Sequence, residues 1–358
     1  MKTSDALAMI NNTILSLKAY HLEPRDVAVK LNQNENPFDW PDTVKQEVAK
    51  FCLERPWNRY PPFIPDKLKN ALADYTGVSS QQIIIGNGSN EMLLVLFLAL
   101  VNNNSRIILC KPTFTVYQML VDGFGAQGIS INLNKNLQFN IPEIIDTIEK
   151  NPGSILILCS PNNPTGSVLN EDSLRLILKK HTGFFILDQA YIEFGGYNAI
   201  SLIDEFPNLI ITRTFSKALA GAGLRLGYMI GSAEIIKEIN KIKLPYNINF
   251  FSEHVASVLL NHQDLLDRRI KEIISERDKM SRFFNTMPFC AVYPGNANFI
   301  LVRTKKKNDL FNFLCSEGFL VRDVSGYPML ENCLRISVGT PKENSGLIKV
   351  VKRFFEKN

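Results

Sequence analysis

Two segments indicate the fold of this chain most clearly: Phe184-Phe-Ile-Leu-Asp-Gln-Ala-Tyr191 and Leu209-Ile-Ile-Thr-Arg-Thr-Phe-Ser-Lys217. Each segment begins with a short apolar run, rich in β-branched or aromatic residues, and ends in polar side chains. A run that is apolar on both faces is typical of a strand in a parallel sheet, because helices cover both sides of such a sheet. The two segments therefore predict two such strands, each followed by a polar turn.

The same pattern recurs on the N-terminal side of these segments. Further apolar runs are Ile83–Ile85, Ile107–Leu109 and Ile155–Leu158. Helical patterns such as Glu91–Val101 and Glu171–Lys180 lie between them. Alternating strands and helices of this kind predict a large α/β domain with a mostly parallel sheet flanked by helices.

The pattern changes beyond about residue 255. A long charged helix, roughly Leu265–Phe284, leads into shorter elements. These are strands at Phe299–Val302, Phe319–Val321 and Leu334–Val338 and a helix at Asn308–Glu317. We expect residues 31–255 to form the large domain and residues 256–358 a smaller α+β domain, with residues 1–30 packing against the small domain as an arm.

Composition excludes several classes of protein. The chain has 358 residues, of which 45% are hydrophobic and 21% charged, so it is not disordered. A net charge of +5 is too small for this length to indicate a nucleic-acid partner. The six cysteines include no CxxC pair and there are four histidines without a cluster, so we expect no metal site.

Nothing in the sequence predicts export or membrane insertion. Residues Met1–Asn12 have no continuous apolar core, unlike a secretory signal. The longest apolar run, Met92–Val101, has ten residues and is too short to span a bilayer as a helix. Several cysteines lie in apolar runs, which indicates buried thiols. Buried thiols suit a reducing compartment. We therefore expect a cytoplasmic protein without a membrane partner.

Polar residues follow four of the apolar runs. They are Gly86–Ser89, Ser160–Asn163, Asp188 and Thr214–Lys217. In parallel α/β sheets the ligand crevice lies at the carboxyl ends of the strands, so the four turns indicate one site.

Two of these turns contain groups that could bind phosphate. Gly86–Glu91 opens a helix with free backbone amides, although it is neither a GxGxxG nor a Walker motif. The hydroxyls of Thr214 and Ser216, with Arg225, could also bind a phosphate. Lys217 beside them could form a Schiff base with an aldehyde. The alternative is a surface lysine and a structural arginine.

The other turns could bind an aromatic ring. Asp188 ends a strand, where a carboxylate is often a cap, but it could also hold the protonated pyridine nitrogen of a cofactor. Tyr191 and Asn163 could each hydrogen-bond a phenolic oxygen. Aldehyde, phosphate, ring nitrogen and phenolic oxygen together describe pyridoxal phosphate.

Eight blocks in collinear order, from about Tyr20 to Thr340, resemble the fold-type I aminotransferases of class I and II. Ser160–Gly166, Leu187–Tyr191 and Thr214–Gly227 resemble the family as a whole. The blocks that look like its histidinol-phosphate aminotransferase branch are Leu31–Pro37, Asn58–Pro61, Gly86–Glu91, Pro112–Phe114 and Leu334–Thr340.

The resemblance implies a role for each residue around the cofactor. Lys217 would bond to the cofactor aldehyde and then act as the base that moves the proton. Asp188 would keep the pyridine nitrogen protonated, Asn163 and Tyr191 would bond the phenolic oxygen, and Phe114 would stack on the ring. The phosphate would be held by Ser89, Asn90, Thr214, Ser216, Arg225 and, from the neighbouring subunit, Tyr60. The last contact implies an obligate homodimer.

The resemblance also implies two anion sites for substrates. Arg335 would bind the α-carboxylate of glutamate. Arg322 would bind the distal phosphate of the other substrate, with Tyr20 and Asn34 nearby. A planar guanidinium accepts either anion in bidentate fashion. The alternative for Arg322 is a surface ion pair with Asp323.

The chain departs from the family pattern at three positions. Gln189 stands where glutamate is frequent, Asn90 where aspartate is frequent, and Phe114 where tyrosine is commoner. The last change removes a hydroxyl but keeps the stacking face. None of them affects Lys217 or Asp188, so catalytic competence is expected.

The resemblance thus implies transamination between L-histidinol phosphate and 2-oxoglutarate in histidine biosynthesis. Two alternatives keep the fold and the cofactor: a threonine-phosphate decarboxylase, to which Val292–Phe299 is also suited, and an aromatic amino-acid aminotransferase. A third is a non-catalytic regulator built on such a domain. It is the least expected, because the family match begins near Tyr20 and leaves no room for a DNA-binding module.

Overall fold

A computed structural model describes residues 3–17 and 25–357 of the protein. Tyr20, a predicted substrate contact, lies outside these residues. Within the described part, the strands form one sheet of seven strands and one of five.

The seven-stranded sheet contains the apolar runs of the sequence. Its strands are β2 (Ile83–Gly86), β3 (Arg106–Lys111), β4 (Gln127–Asn132), β5 (Ile155–Cys159), β6 (Phe185–Asp188), β7 (Leu209–Thr214) and β8 (Gly227–Ile230). Their spatial order is β2-β8-β7-β6-β5-β3-β4. β8 is antiparallel to both neighbours, and the other neighbouring pairs are parallel. The predicted α/β fold with a mostly parallel sheet is therefore confirmed.

Helices cover both faces of this sheet, which is why its central strands are apolar throughout. They are α3 (Asp42–Glu54), α4 (Asp66–Thr76), α5 (Gly88–Leu100), α6 (Thr115–Gly123), α7 (Ile141–Lys150), α8 (Glu171–Lys180), α9 (Ala233–Ile239) and α10 (Phe250–Leu260), with short 3₁₀ turns at Ser80–Gln82, Ile192–Phe194, Ala199–Leu202 and Ala222–Leu224. In β5, Leu156 and Leu158 belong to the apolar core on one face, and Ile155 and Ile157 to the core on the other. Successive strand residues point to opposite faces, so both faces need apolar side chains.

The five-stranded sheet combines one early strand with four late ones. Its strands are β1 (Val29–Leu31), β9 (Cys290–Tyr293), β10 (Phe299–Thr304), β11 (Phe319–Asp323) and β12 (Cys333–Ser337), in the order β1-β11-β12-β10-β9. β1 is parallel to β11, and the remaining pairs are antiparallel. The helices α11 (Gln263–Thr286), α12 (Lys307–Ser316) and α13 (Pro341–Lys357) pack with this sheet and with one another. The predicted domain boundaries at residues 30 and 255 stay predictions.

The N-terminal arm contacts α6, next to the seven-stranded sheet, and α12, next to the five-stranded sheet. It begins with α1 (Thr3–Leu7) and α2 (Asn12–Leu15). Thr13 Oγ1 donates a hydrogen bond to the Gly123 carbonyl of α6 (3.4 Å). Ile14 and Leu17 pack near the same glycine. Arg25, in contrast, lies over the Phe311 ring of α12, with 5.3 Å from Cζ to the ring centroid.

No helix in residues 3–17 and 25–357 combines the length and the apolar character that crossing a membrane requires.

Candidate active site

A cavity of about 430 Å³ lies where the carboxyl ends of β5, β6 and β7 face the ends of β11 and β12. Thirteen of the predicted site residues line it: Asn34, Ser89, Asn90, Phe114, Asn163, Asp188, Tyr191, Thr214, Ser216, Lys217, Arg225, Arg322 and Arg335. The structure thus brings together residues that the sequence spreads over some 300 positions. Tyr60 does not line this cavity.

The N-terminus of α5 forms one wall of the cavity, because two glycines let the backbone approach closely. Gly86 of β2 pairs with Gly227 of β8, and a Cβ on Gly227 would lie 2.2 Å from the Ser89 amide nitrogen. Gly88 has a φ of +80°, and a Cβ there would lie 2.9 Å from Arg225 Nη2. The space next to this helix start therefore exists only without those side chains.

Arg225 and two hydroxyls complete this wall. Arg225 takes a left-handed backbone conformation with a φ of 52°. Its Nη1 donates to Ser216 Oγ (3.3 Å) and to the Ala222 carbonyl (3.1 Å). Thr214 Oγ1 accepts from the Ser216 amide (3.1 Å) and donates to the Leu226 carbonyl (3.3 Å). A helix N-terminus, a guanidinium and hydroxyls are together the donor set that binds a phosphate.

Lys217 follows β7 and points across the cavity. Its Nζ donates to the Gln33 carbonyl (2.9 Å), just beyond β1. Burial of the amine lowers the pKa of Lys217 to about 7, and the positive charges of Arg335 and Arg225 act in the same direction, whereas Glu35 opposes them. A substantial fraction of this amine is therefore neutral near pH 7, as a nucleophile or a base must be.

Asp188 ends β6 as a buried carboxylate with two donors. Its Oδ1 accepts from the Ala190 amide (3.0 Å), and its Oδ2 accepts from the Tyr117 hydroxyl (2.6 Å). Burial raises the pKa of Asp188, and the hydrogen bond from Tyr117 opposes that rise. Tyr117 was not predicted from the sequence. Its one signal was the spacing of three residues from Phe114, which puts both rings on one side of α6.

Asn34 connects the two sheets at the cavity. Its Nδ2 donates to the Tyr191 hydroxyl (3.0 Å). Its backbone amide donates to Ser337 Oγ of β12 (2.9 Å), and its Oδ1 accepts from that hydroxyl (3.1 Å). Asn34 was predicted to lie near the substrate; in the structure it also orients Tyr191.

Two arginines of the five-stranded sheet face each other beside the cavity. Arg322 of β11 and Arg335 of β12 are direct partners in the antiparallel register. Arg335 is buried and donates to Asn163 Oδ1 (2.5 Å) and to the Asn32 carbonyl (2.7 Å). Within residues 3–17 and 25–357, no hydrogen bond or ion pair involves the half-buried Arg322 side chain. Two like charges directly opposite each other destabilise a sheet unless an anion lies nearby.

The alternative interpretation of Arg322, an ion pair with Asp323, is wrong. Asp323 forms its ion pair with Lys307 instead, at 2.7 Å from Nζ to Oδ2. Adjacent residues of a strand point to opposite faces, so Asp323 and Arg322 diverge. Arg322 is left facing the cavity.

A second cavity of about 770 Å³ adjoins the first and shares Phe114, Arg322 and Tyr327 with it. Leu17 and Met119 contribute to its lining. The Arg322 side chain therefore lies between the inner cavity, which is more polar, and the outer cavity, which is more apolar. A ligand that reaches Lys217 from solvent through the outer space passes this arginine.

Tyr60 lies on the surface, with 80% of its area exposed. Its ring stacks on Tyr246, with 4.8 Å between the centroids. Within one chain it has no access to the cavity, so a role at the site requires a second chain.

Several known proteins are similar to this chain over nearly its whole length. The curated histidinol-phosphate aminotransferase of Prosthecochloris aestuarii is 36% identical over 351 residues, covering 98% of both chains. That of Chlorobaculum tepidum is 34% identical over 347 residues, covering 96% of this chain and all of the relative. The crystal structure of histidinol-phosphate aminotransferase from Sinorhizobium meliloti, in complex with pyridoxal-5'-phosphate, superposes with a TM-score of 0.86 at 22% identity, covering 97% of this chain and 98% of the other. At that identity the superposition shows the shared fold.

A family model confirms the resemblance that the eight sequence blocks indicated. The model for aminotransferase class I and II matches residues 26–351. This match includes both sheets, the cavity and every predicted site residue except Tyr20. The chain therefore belongs to the aminotransferase class I and II family.

Proposed function

We propose that this protein is a histidinol-phosphate aminotransferase, which exchanges an amino group between L-histidinol phosphate and 2-oxoglutarate in histidine biosynthesis. The observation that carries the proposal is the pair Arg322 and Arg335, opposite each other beside Lys217. Relatives about 35% identical over nearly the whole chain, which carry that activity in their names, support the choice of substrate. They favour transamination over the decarboxylation of threonine phosphate.

The cavity fits pyridoxal phosphate as the cofactor. The cavity is lined by the start of α5, by the hydroxyls of Thr214 and Ser216 and by the Arg225 guanidinium, a donor set that suits its phosphate. Residues that would hold the phosphate are Ser89, Asn90, Thr214, Ser216 and Arg225. Residues that would hold the ring are Phe114, Asn163, Asp188 and Tyr191. When bound, pyridoxal phosphate supplies an electron sink for the charge that develops at the substrate Cα.

Lys217 performs the proton transfer. With a pKa of about 7, its amine is partly neutral at neutral pH and can bond to the cofactor aldehyde. When not bonded to the cofactor, the same Nζ would accept the proton that leaves the substrate Cα and would act as the acid that returns it. Asp188, which accepts hydrogen bonds from Tyr117 and Ala190, would provide a negative charge for the ring nitrogen.

The two arginines let one site accept two different anions. Glutamate has an α-carboxylate for Arg335, which Asn163 and the Asn32 carbonyl hold in place. Histidinol phosphate has no carboxylate, but its phosphate matches the guanidinium of Arg322. Either anion relieves the repulsion between the two like charges. Exchange of the two substrates at one site is what a ping-pong transamination requires.

We further propose a homodimer in which Tyr60 reaches the phosphate of the partner's site. Tyr60 lies in a surface region of exposed apolar side chains that includes Leu53, Trp57 and Phe63. Mixing two inactive variants, Tyr60→Ala and Lys217→Ala, should restore activity, because each mixed dimer contains one site with both native residues. Mixtures that stay inactive although they exchange subunits would exclude the shared site.

We also propose a cytoplasmic location, with small molecules as the ligands of the site. The six cysteines are all free thiols, and three of them are buried. Such thiols suit a reducing compartment. Fractionation of cells that produce the protein would test this.

The visible absorption of the protein loaded with pyridoxal phosphate tests the function. Adding L-histidinol phosphate without an oxo acid should convert the absorption to that of pyridoxamine phosphate, and 2-oxoglutarate should restore it. If the absorption responds to neither compound, the substrate assignment is wrong. Release of CO₂ from threonine phosphate would then support the decarboxylase alternative.

A further inference from the structure

Tyr117 is a fully buried residue of α6 that contacts two predicted cofactor residues. Its hydroxyl donates to Asp188 Oδ2 at 2.6 Å. Its ring packs edge-to-face against Phe114, with 5.6 Å between centroids and an interplanar angle of 87°. One side chain therefore supports both the carboxylate that faces the ring nitrogen and the ring that stacks on the cofactor.

Among the described residues, the hydroxyl of Tyr117 donates the shortest hydrogen bond to Asp188, and the Thr212 hydroxyl also acts to lower the pKa of this carboxyl. Cys159 of β5 and Thr212 of β7 lie opposite Asp188 on the neighbouring strands. Tyr191 lies three residues after Asp188 in the sequence. Cys159 Sγ lies 3.2 Å from the Pro161 carbonyl and donates there instead. The second donor to Asp188 is the backbone amide of Ala190.

A buried carboxylate depends strongly on such donors. Transfer of a charge out of water favours the neutral acid unless hydrogen bonds compensate. Ala190 and Tyr117 occupy one acceptor position on each oxygen, and a carboxylate has about four such positions, so room remains for a donor from the cavity. A hydrogen bond to a charged group contributes more than one between neutral groups.

We propose that Tyr117 is a positioning residue, which holds Asp188 ionised and oriented so that the proton shared with the cofactor's ring nitrogen stays on the nitrogen. This inference rests on the proposed function and deepens it. Without the hydroxyl, the carboxylate gains proton affinity and the shared proton moves towards Asp188. The ring then loses part of its capacity as an electron sink.

Tyr117→Phe tests the inference because it removes one oxygen and keeps the ring. The protein is loaded with pyridoxal phosphate labelled with ¹⁵N in the ring, and the ¹⁵N chemical shift is measured at fixed pH without substrate. Asp188→Asn gives the shift of the unprotonated nitrogen. The shift in Tyr117→Phe should lie between the values for the native protein and for Asp188→Asn. The kcat should fall about 10- to 100-fold, with each KM changed by less than about twofold.

Tyr228→Phe is the matched control. Tyr228 is also fully buried and packs edge-to-face against an aromatic ring, that of Phe215, at 6.1 Å. It does not contact Asp188, so its variant should keep the native ¹⁵N shift and kcat. A Tyr117→Phe protein that is folded, loaded and unchanged in its ¹⁵N shift would overturn the inference.

A second measurement tests the inference if the Tyr117→Phe protein does not fold. Native protein with ¹³Cζ-labelled tyrosine should show a low-field, exchange-protected hydroxyl proton that disappears in Asp188→Ala. Its absence would overturn the inference without any Tyr117 variant. Neither measurement uses a substrate, so failure with histidinol phosphate would leave the result on Tyr117 standing. Native protein that binds no pyridoxal phosphate would overturn both proposals.

Discussion

The two ends of the cavity differ in how many of their hydrogen bonds are made inside the protein. At the cofactor end, Asp188 accepts from Tyr117, Tyr191 accepts from Asn34, and Arg225 donates to Ser216. At the outer end, Arg322 lies between two cavities, and no described residue pairs with it. The first end is organised before any ligand arrives, whereas the second takes its partner from the ligand.

This difference separates chemistry from selectivity. Groups fixed by internal contacts can stabilise a developing charge without reorganising, which is how preorganised sites gain rate. A guanidinium that obtains its partner only from a ligand distinguishes between ligands. Changes at the inner end should therefore reduce turnover of every substrate, and changes at the outer end should reduce turnover of some.

The largest effect should come from Lys217→Ala. It removes the amine that bonds the cofactor and moves the proton, so kcat should fall by roughly 10⁴-fold or more for every amino donor. Steady-state kinetics with histidinol phosphate and with glutamate would measure this. Lys150→Ala, which affects an exposed ion pair with Asp146, is the control and should retain native rates. Substantial turnover by Lys217→Ala would remove the residue from the reaction.

Arg322→Ala should have the next largest effect, and it should depend on the substrate. Loss of a bidentate contact to phosphate should reduce kcat/KM for histidinol phosphate by about 100-fold and leave that for an uncharged aromatic amine within a few-fold. Arg303→Ala, at an exposed arginine of β10, is the control. Equal losses for both substrates would mean that Arg322 does not distinguish them.

Gly227→Ala tests whether the inner end of the cavity depends on the close contact between β8 and α5. The new methyl group would lie 2.2 Å from the Ser89 amide nitrogen, so strand and helix must separate. We expect a loss of about 1–3 kcal/mol in the free energy of unfolding and weaker binding of pyridoxal phosphate. Urea denaturation would measure the stability. Gly326→Ala, where nothing lies within 4 Å of the new methyl group, should be nearly neutral. Similar losses in the two variants would show that the close approach of β8 and α5 is unimportant.

The smallest effect concerns pH. Since the pKa of Lys217 is about 7, the rate at which the cofactor-free protein reacts with pyridoxal phosphate should rise as pH increases through 7, because the neutral amine reacts. Arg335 contributes a positive charge that lowers this pKa. Arg335→Met should therefore raise the pKa and move the rise in rate upward, by up to about one pH unit.

Stopped-flow absorption over a range of pH would record both profiles. Arg303→Met controls for the loss of a distant arginine and should leave the native profile in place. A profile that is flat between pH 6 and pH 9, or one that Arg335→Met moves downward, would contradict the assigned cause of the low pKa.

The sequence predicted those parts of the site that depend on strand ends. Asp188 and Lys217 follow apolar runs, and a parallel sheet collects such residues at one edge whatever their spacing. Arg225 could be related to them because it lies only eight residues beyond Lys217. Among the strands that were missed are β4 and β8: in β4 only Ile131 is fully buried, and Gly227–Ile230 begins with a glycine and contains a single β-branched residue.

The remaining contacts left no such signal. Gln33 and Asn32 act through backbone carbonyls, which every residue has, so their side chains indicate nothing about Lys217 or Arg335. Tyr117 lies 71 residues from Asp188. Its contact with Asp188 depends on how α6 packs against the sheet. Thr13 contacts α6 through the backbone carbonyl of Gly123, a group that gives the sequence no signal.

The contacts that join Asn34 to Ser337 and Asn32 to Arg335 each span 303 residues. During synthesis, the segment after β1 leaves the ribosome 303 residues before its partners on β12. Lys217 and Asp188 have left the ribosome well before β12 is made. The carbonyls that orient Lys217 and Arg335 are not yet fixed in place at that stage. The nascent chain therefore cannot complete the site until β12 has left the ribosome, and closing a loop of this length adds to the delay. A nascent chain stalled before residue 319 would therefore contain every strand of the seven-stranded sheet but an incomplete active site.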